Sequence, residues 1–375
     1  MRNTILGLFT LATAVAGRSC GSRPTTTTTT LQPPDSTPSP PIVKPSVEAC
    51  KLLGRSDVYS SVGFYFPNDC VSGTGTLNAF MIFVDFSDAP APSNDPPSNL
   101  RDFLEPAAEW YSKASLGALS LNVTADVSRY YRMPAASVYI QDALQAYTDN
   151  GESPPLPETE ILYVVPTRAA SGYITRSIAF NGRTNTREGV YVAKRAITFG
   201  TDLFDSWGYQ TLNHESGHAM CLPDYYPYAD GSDTHELGWI KDENVDCVSA
   251  KGTTQHTLTP IEVKGGTNAV VIVLSQTTAV VAEARAAEGL DSSICASGVL
   301  LYTIDTTVAS GSGPIRVIDT KPSSGGCSGN ELNDAPLSLG QTQKPYDSYE
   351  IPGLGINVKL TSETGGEYGI TVEYS

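Results

Sequence analysis

Apolar and polar positions along the chain change rhythm twice. "LNAFMIFVDFSD" (Leu77 to Asp88) is an almost unbroken β-rich apolar run ending in acidic residues, which predicts a strand buried on both faces. "NLRDFLEPAAEWYSKAS" then spaces Leu100, Phe103, Leu104, Ala107 and Trp110 by threes and fours, predicting a helix with one apolar face. "ALSLNVTADVSRYYRM" reads as strand, "VYIQDALQAYTD" as helix, and "EILYVVPT" (Glu160 to Thr167) as a second buried strand. This alternation predicts a mixed α/β domain over residues 50–246. Beyond Cys247 helical spacing disappears. Short β segments such as "NAVVIVLS", "AVVAEARA", "GVLLYTID", "GINVKLTS" and "YGITVEYS" follow one another between turn residues, predicting an all-β, sandwich-like domain over 247–375.

The N-terminus belongs to neither pattern. Arg2 precedes "ILGLFTLATAVA" (Ile5 to Ala16), too short to span a bilayer and closing on Ala14-Val15-Ala16, so residues 1–16 read as a secretory signal peptide. Residues 17–49 hold the Thr/Pro run "RPTTTTTTLQPPDSTPSPPIVKPS", which cannot bury apolar area and reads as a solvated linker or O-glycosylated stalk. A secreted, extracellular protein follows from this reading, with cell-wall association as one form of it. Asn122-Val123-Thr124 adds an acceptor site for N-linked sugar. A formal charge of −16, without clustered Lys or Arg, argues against nucleic acid and anionic membrane as partners, and no other segment is apolar enough to span a membrane.

Secretion makes the seven cysteines candidates for pairing, with Cys50–Cys70 and Cys295–Cys327 the simplest pairs by proximity and an odd thiol left over. No CxxC spacing suggests a thiolate zinc cluster.

The candidate chemistry lies in "NHESGHAMCLPDYY" (Asn213 to Tyr226). The preceding "TDLFDSWGYQTL" has helix grammar: Thr201 or Asp202 can cap, Pro223 stops the helix, and Phe204, Trp207, Thr211, His214 and His218 share a stripe. Histidines four apart lie one turn apart on one face, with Cβ atoms roughly 5–6 Å from each other, so both imidazoles can reach one ion. Glu215 is turned about 100° away, poorly placed as a ligand and well placed beside a metal-bound water, whose proton it can take as that water attacks a peptide carbonyl. Zn2+ suits neutral imidazoles and can bring a bound water's pKa towards about 7. It needs a third protein ligand. Asp224 leads, ten residues after His214, with Asp230, Asp233, His235 and Glu236 behind it; His256 reads as a surface residue of a strand. Calcium has room among the acidic residues, but no EF-hand loop pattern appears.

On these residues the chain resembles the immune inhibitor A-like secreted zinc metallopeptidases, especially fungal members, whose signature HExxHxxGxxD it carries as His214-Glu215-Ser216-Gly217-His218-Ala219-Met220-Cys221-Leu222-Pro223-Asp224. Phrases such as "FVDFSDAPA", "AEWYSKASLGALSLNV", "RYYRMPAAS", "ILYVVPTRAAS" and "LGWIKDENVDC" extend the likeness from about Gly73 to the C-terminus. The resemblance implies a zincin-like catalytic domain, His214, His218 and Asp224 as zinc ligands, Glu215 as catalytic base, and protein or peptide substrates. Two departures stand out. The signature glycine is Cys221, predicting a strained or reshaped turn and leaving Cys221 to pair with Cys247 or to offer the metal a thiolate. The segment from Pro227 to Glu236 is shorter than in relatives, which raises the alternative of a catalytically inactive relative serving as an extracellular binding glycoprotein.

Overall fold

Sheets of different grammar share residues 44–375, which form one compact unit. The computed structural model describes residues 46–64, 70–134, 140–153, 158–180, 182–204, 208–224, 239–327, 329–340 and 346–375. The proposed signal peptide, Cys20 and the Thr/Pro linker up to residue 45 lie outside the described residues; at the linker's proposed end Val47–Cys50 form a 3-10 turn capped by Ser46.

The first sheet runs through the alternating half of the sequence. β1 (Gly75–Phe86), β2 (Leu119–Met133) and β3 (Ile161–Pro166) are joined by β4 (Ile178–Phe180) and β7 (Arg195–Thr198), while β5 (Thr184–Asn185) and β6 (Tyr191–Ala193) form a separate hairpin. Spatial order is β2-β1-β3-β7-β4. The first four are parallel neighbours, and β4 closes one edge antiparallel to β7, pairing Ile178 with Thr198 and Phe180 with Ala196. Parallel pairing requires crossovers, which α1 (Leu104–Ala114) and α2 (Ile140–Asp149) supply between β1 and β2 and between β2 and β3.

Alternation along β1 divides the apolar run between two cores. Met81 and Phe83 pack with Ala107 and Tyr111 of α1 and with Leu212 and Ala219 of α3 (Gly208–Ala219). Ile82 and Val84 pack on the other face with Ala143, Leu144 and Tyr147 of α2. Helices on both faces explain why the run is continuous rather than alternating. Trp239 joins the first core, its rings against Trp110 and Tyr111 and its indole N–H donating to Gly73 O at 2.6 Å. Asn122 is exposed on the edge strand β2, its Nδ2 donating to Asn78 Oδ1 at 2.9 Å.

The remaining strands are β8 (Val245–Val248), β9 (Gly252–Leu258), β10 (Ala269–Val273), β11 (Thr278–Arg285), β12 (Gly298–Asp305), β13 (Ile315–Ile318), β14 (Ser348–Ile351), β15 (Ile356–Thr364) and β16 (Glu367–Tyr374). They make two sheets, ordered β13-β12-β11-β10-β8 and β14-β15-β16-β9. One core joins them: Val270, Ile272, Val280, Ala282 and Leu301 of the first meet Val358, Leu360, Ile370 and Val372 of the second. The opposite face of the first sheet is covered by Leu52 and Val62, which pack on Ala279, Val281, Leu300 and Ile304. The whole is a mixed α+β protein, mostly strands, with few helices and several sheets. No helix among the described residues is long and apolar enough to cross a membrane.

Disulfide pairing departs from the expectation by proximity. Cys295–Cys327 forms as expected, but Cys50 pairs with Cys247, and Cys70 with Cys221. Near neighbours in sequence lost because Cys50 travels with the segment packed on the C-terminal sheet, where β8 carries Cys247, whereas Val71 belongs to the α3 core.

Candidate functional site

Helix α3 starts later than its sequence grammar suggests. Thr201–Phe204 form a 3-10 turn, and the α-helix begins at Gly208, after residues outside the described set that include Trp207. Gly208 accounts for the tight entry: a Cβ there would sit 1.9 Å from Leu203 O, so no other residue fits this backbone. Asp202 acts on the neighbouring strand rather than as the α-helix cap. Its carboxylate accepts the Ser177 N–H at 2.9 Å and the Ser177 hydroxyl at 2.7 Å, just before β4.

Buried hydroxyls hold the helix from beneath. Tyr111 OH donates to Asn213 O at 2.8 Å. Ser216 Oγ donates to Leu212 O and lies 2.7 Å from Tyr163 OH, on β3. Asn213, Ser216 and Gly217 therefore face protein, while His214, Glu215 and His218 line a cleft.

The helix ends in a hydrogen-bonded reversal that supplies the third side chain. Cys221 adopts φ +69°, the left-handed conformation a glycine would take, and Cys221 N–H bonds His218 O while Leu222 N–H bonds Gly217 O. These are the two bonds of a Schellman ending, so the departure from glycine changes the residue and not the turn. Cys221 is bonded to Cys70, which corrects both the pairing with Cys247 and the metal thiolate. The same link brings Val71 N–H onto Ala219 O at 3.0 Å, capping a terminal helix carbonyl. Replacing Cys70 and Cys221 together with serine is expected to lower stability by about 2–5 kcal/mol, the cost typical of losing a native disulfide. Urea denaturation under non-reducing conditions checks this; an unchanged midpoint would show that the link does not restrain the unfolded chain.

Beyond the reversal, Asp224 folds back to the two imidazoles. Its Oδ1 lies 3.4 Å from His214 Nε2 and 3.3 Å from His218 Nε2, and the two Nε2 atoms are 3.1 Å apart. His218 Nδ1 lies 2.7 Å from Leu222 O, so the proton belongs on Nδ1 and Nε2 keeps its lone pair for the shared point. Burial, and next the neighbouring His218, push the His214 pKa down, favouring its neutral form. Asp224 is 37% exposed and His218 22%, so the point where the three atoms converge opens to the cleft. Among the described residues no other group of three His, Cys, Asp or Glu side chains converges, calcium-type acidic clusters included. Asp230, Asp233, His235 and Glu236 lie outside the described residues.

Glu215 is 7% exposed, and burial raises its carboxyl pKa above the ordinary value; a backbone hydrogen bond from Ala179 of β4 opposes the shift. It lines the same cleft of about 1510 Å3 as His214, His218 and Asp224. β4, the edge strand of its sheet among the described residues, forms one border through Ile178 and Ala179, and residues Arg55 to Ser61 form another, with Tyr59 68% exposed.

His256 is not the surface residue its strand pattern predicts. It does lie on β9, but its Nδ1 is 2.8 Å from Asp246 Oδ2 and its Nε2 2.8 Å from Thr254 Oγ1, with the side chain 9% exposed. Neither Tyr163, Ser216 nor Ser177 stands out in the sequence as a support of the site. Their hydroxyls gain meaning only from contacts across the fold.

Compared with known proteins, the chain matches no family model and no curated protein.

Proposed function

We propose that this protein is a secreted zinc-dependent endopeptidase of the immune inhibitor A type, with a zincin-like catalytic domain. The observation that carries the reading is the triangle of His214 Nε2, His218 Nε2 and Asp224 Oδ1, with edges of 3.1, 3.3 and 3.4 Å. Ligand atoms on a tetrahedral zinc ion, with bonds of about 2.0–2.1 Å, are separated by about 3.3–3.4 Å, so these side chains suit that ion as they stand. Three protein ligands with open access from a cleft suit a catalytic rather than a structural site. The three disulfides accord with an oxidising, extracellular setting.

When bound, zinc would polarise a peptide carbonyl and acidify a water. The chain's own residues supply the rest. His218 is held in the ligating tautomer by Leu222 O, and partial desolvation with the neighbouring His218 favours the neutral form of His214. Glu215, one residue along the helix, accepts a proton on its carboxylate and returns it to the leaving amine; its raised pKa makes it a stronger base than an exposed glutamate. β4, the edge strand of its sheet among the described residues, borders the cleft and would offer an extended peptide a strand to lie beside.

The first test is zinc content of the purified protein, with hydrolysis of an unfolded protein substrate measured with and without chelator. Zinc near one per chain and chelator-sensitive cleavage are expected. Zinc without cleavage would favour the inactive binding glycoprotein, and absence of zinc would remove the metal centre altogether.

A further inference from the structure

The connection between β12 and β13 reaches from the C-terminal sheet to the candidate ligand set. Ser310 Oγ accepts the backbone N–H of Asp224 at 2.6 Å, and Gly311 N–H donates to the Asp224 carbonyl at 2.8 Å. Both main-chain polar groups of Asp224 are therefore engaged by two adjacent residues lying more than eighty positions further along the chain. Ser310 N–H also donates to Tyr59 O at 3.1 Å, which joins the tip to the Arg55–Ser61 border of the cleft. The tip is itself braced. Arg316 Nε donates to Gly313 O at 3.0 Å, Ser312 N–H to Ala309 O at 3.0 Å, and Ser61 Oγ to Thr306 O at 2.7 Å. Gly311 sits at φ +72°, a left-handed conformation that lets its N–H turn onto Asp224.

Asp224 needs such a support more than the histidines do. His214 and His218 are fixed by a helix with buried hydroxyls beneath it, whereas Asp224 follows the reversal, and Pro223 before it has no N–H to anchor. A side chain on an untethered loop loses affinity for an ion because ordering the loop opposes binding.

We infer that Ser310 and Gly311 are positioning residues that hold Asp224 in place to ligate a metal ion, so that the C-terminal β-sheets complete the site formed on α3. This rests on the proposed metal centre. A purely structural role for the contact predicts a change in stability with no change in ion affinity.

The test is titration of the full chain, purified metal-free, with Co2+, followed by its visible absorption, together with the thermal midpoint in chelator. Ser310→Ala should weaken Co2+ binding by roughly tenfold, at the low end of the 10–100-fold typical of outer-shell partners. Ser310→Thr, which keeps an acceptor oxygen, should recover most of that loss. Gly311→Ala, which meets no atom within 4 Å but strains the backbone, should weaken binding from the other side of the contact. In an Asp224→Ala background Ser310→Ala should have no further effect, since coupling through one residue vanishes with that residue. Binding of Co2+ by Ser310→Ala as tight as by the natural protein, or an equal loss in both backgrounds, would overturn the proposal. A natural chain that binds no Co2+ would be a different result, removing the metal centre itself.

Discussion

Replacing Glu215 with glutamine is expected to lower peptide hydrolysis by about 10²–10⁴-fold, the range a positioned general base contributes, while leaving zinc content close to that of the natural protein. The separation follows from how α3 presents its residues. Glu215 is buried against β4, where the Ala179 N–H reaches its carboxylate, whereas the converging atoms belong to His214, His218 and Asp224. Glutamine keeps the size and an oxygen for that N–H but cannot take up a proton at neutral pH. Single-turnover cleavage, paired with metal analysis of the same preparation, reads both quantities. Undiminished cleavage by the glutamine variant would refute the role of Glu215, and loss of zinc would show that the carboxylate holds the site together rather than acting on substrate.

His218→Ala should act on the other quantity, with a loss of zinc affinity well beyond the roughly 10–100-fold expected from removing an outer-shell partner. This histidine has two functions. Its Nε2 forms one corner of the triangle, and its Nδ1 bonds Leu222 O inside the reversal that delivers Asp224. Removing it deletes one ligand and loosens another. Ligand binding to the folded state alone raises stability by RT ln(1 + [L]/Kd), so the thermal midpoint of the natural protein should climb with added zinc while that of His218→Ala stays flat. A parallel rise in both would place the zinc elsewhere.

What could be seen in the sequence was what is local. The run in β1, the helical spacing of α1 and α2, and the His-Glu-x-x-His segment each announce themselves within a dozen residues, because periods of 2 and 3.6 are properties of the backbone. Asp224 was also within reach, being only six residues beyond His218. The entry to α3 was misplaced because the close approach of Gly208 to Leu203 O decides it, a contact no periodicity encodes. Cys221 looked like a defect in a glycine position. It takes the left-handed conformation regardless, with both Schellman hydrogen bonds and a disulfide to keep it there. Contacts such as Tyr163 with Ser216, His256 with Asp246 or Ser310 with Asp224 depend on which sheets meet, and nothing about an isolated serine or tyrosine announces them.

The two long disulfides are nested: the loop closed by Cys70–Cys221 lies wholly inside the one closed by Cys50–Cys247. A chain cut once anywhere between Val71 and Met220 would therefore stay a single covalent molecule, its two pieces tied at both bonds. For a protein proposed to work among proteases, and to be one, a nick need not mean dismemberment. The severed halves would part only when a reductant opened both rings.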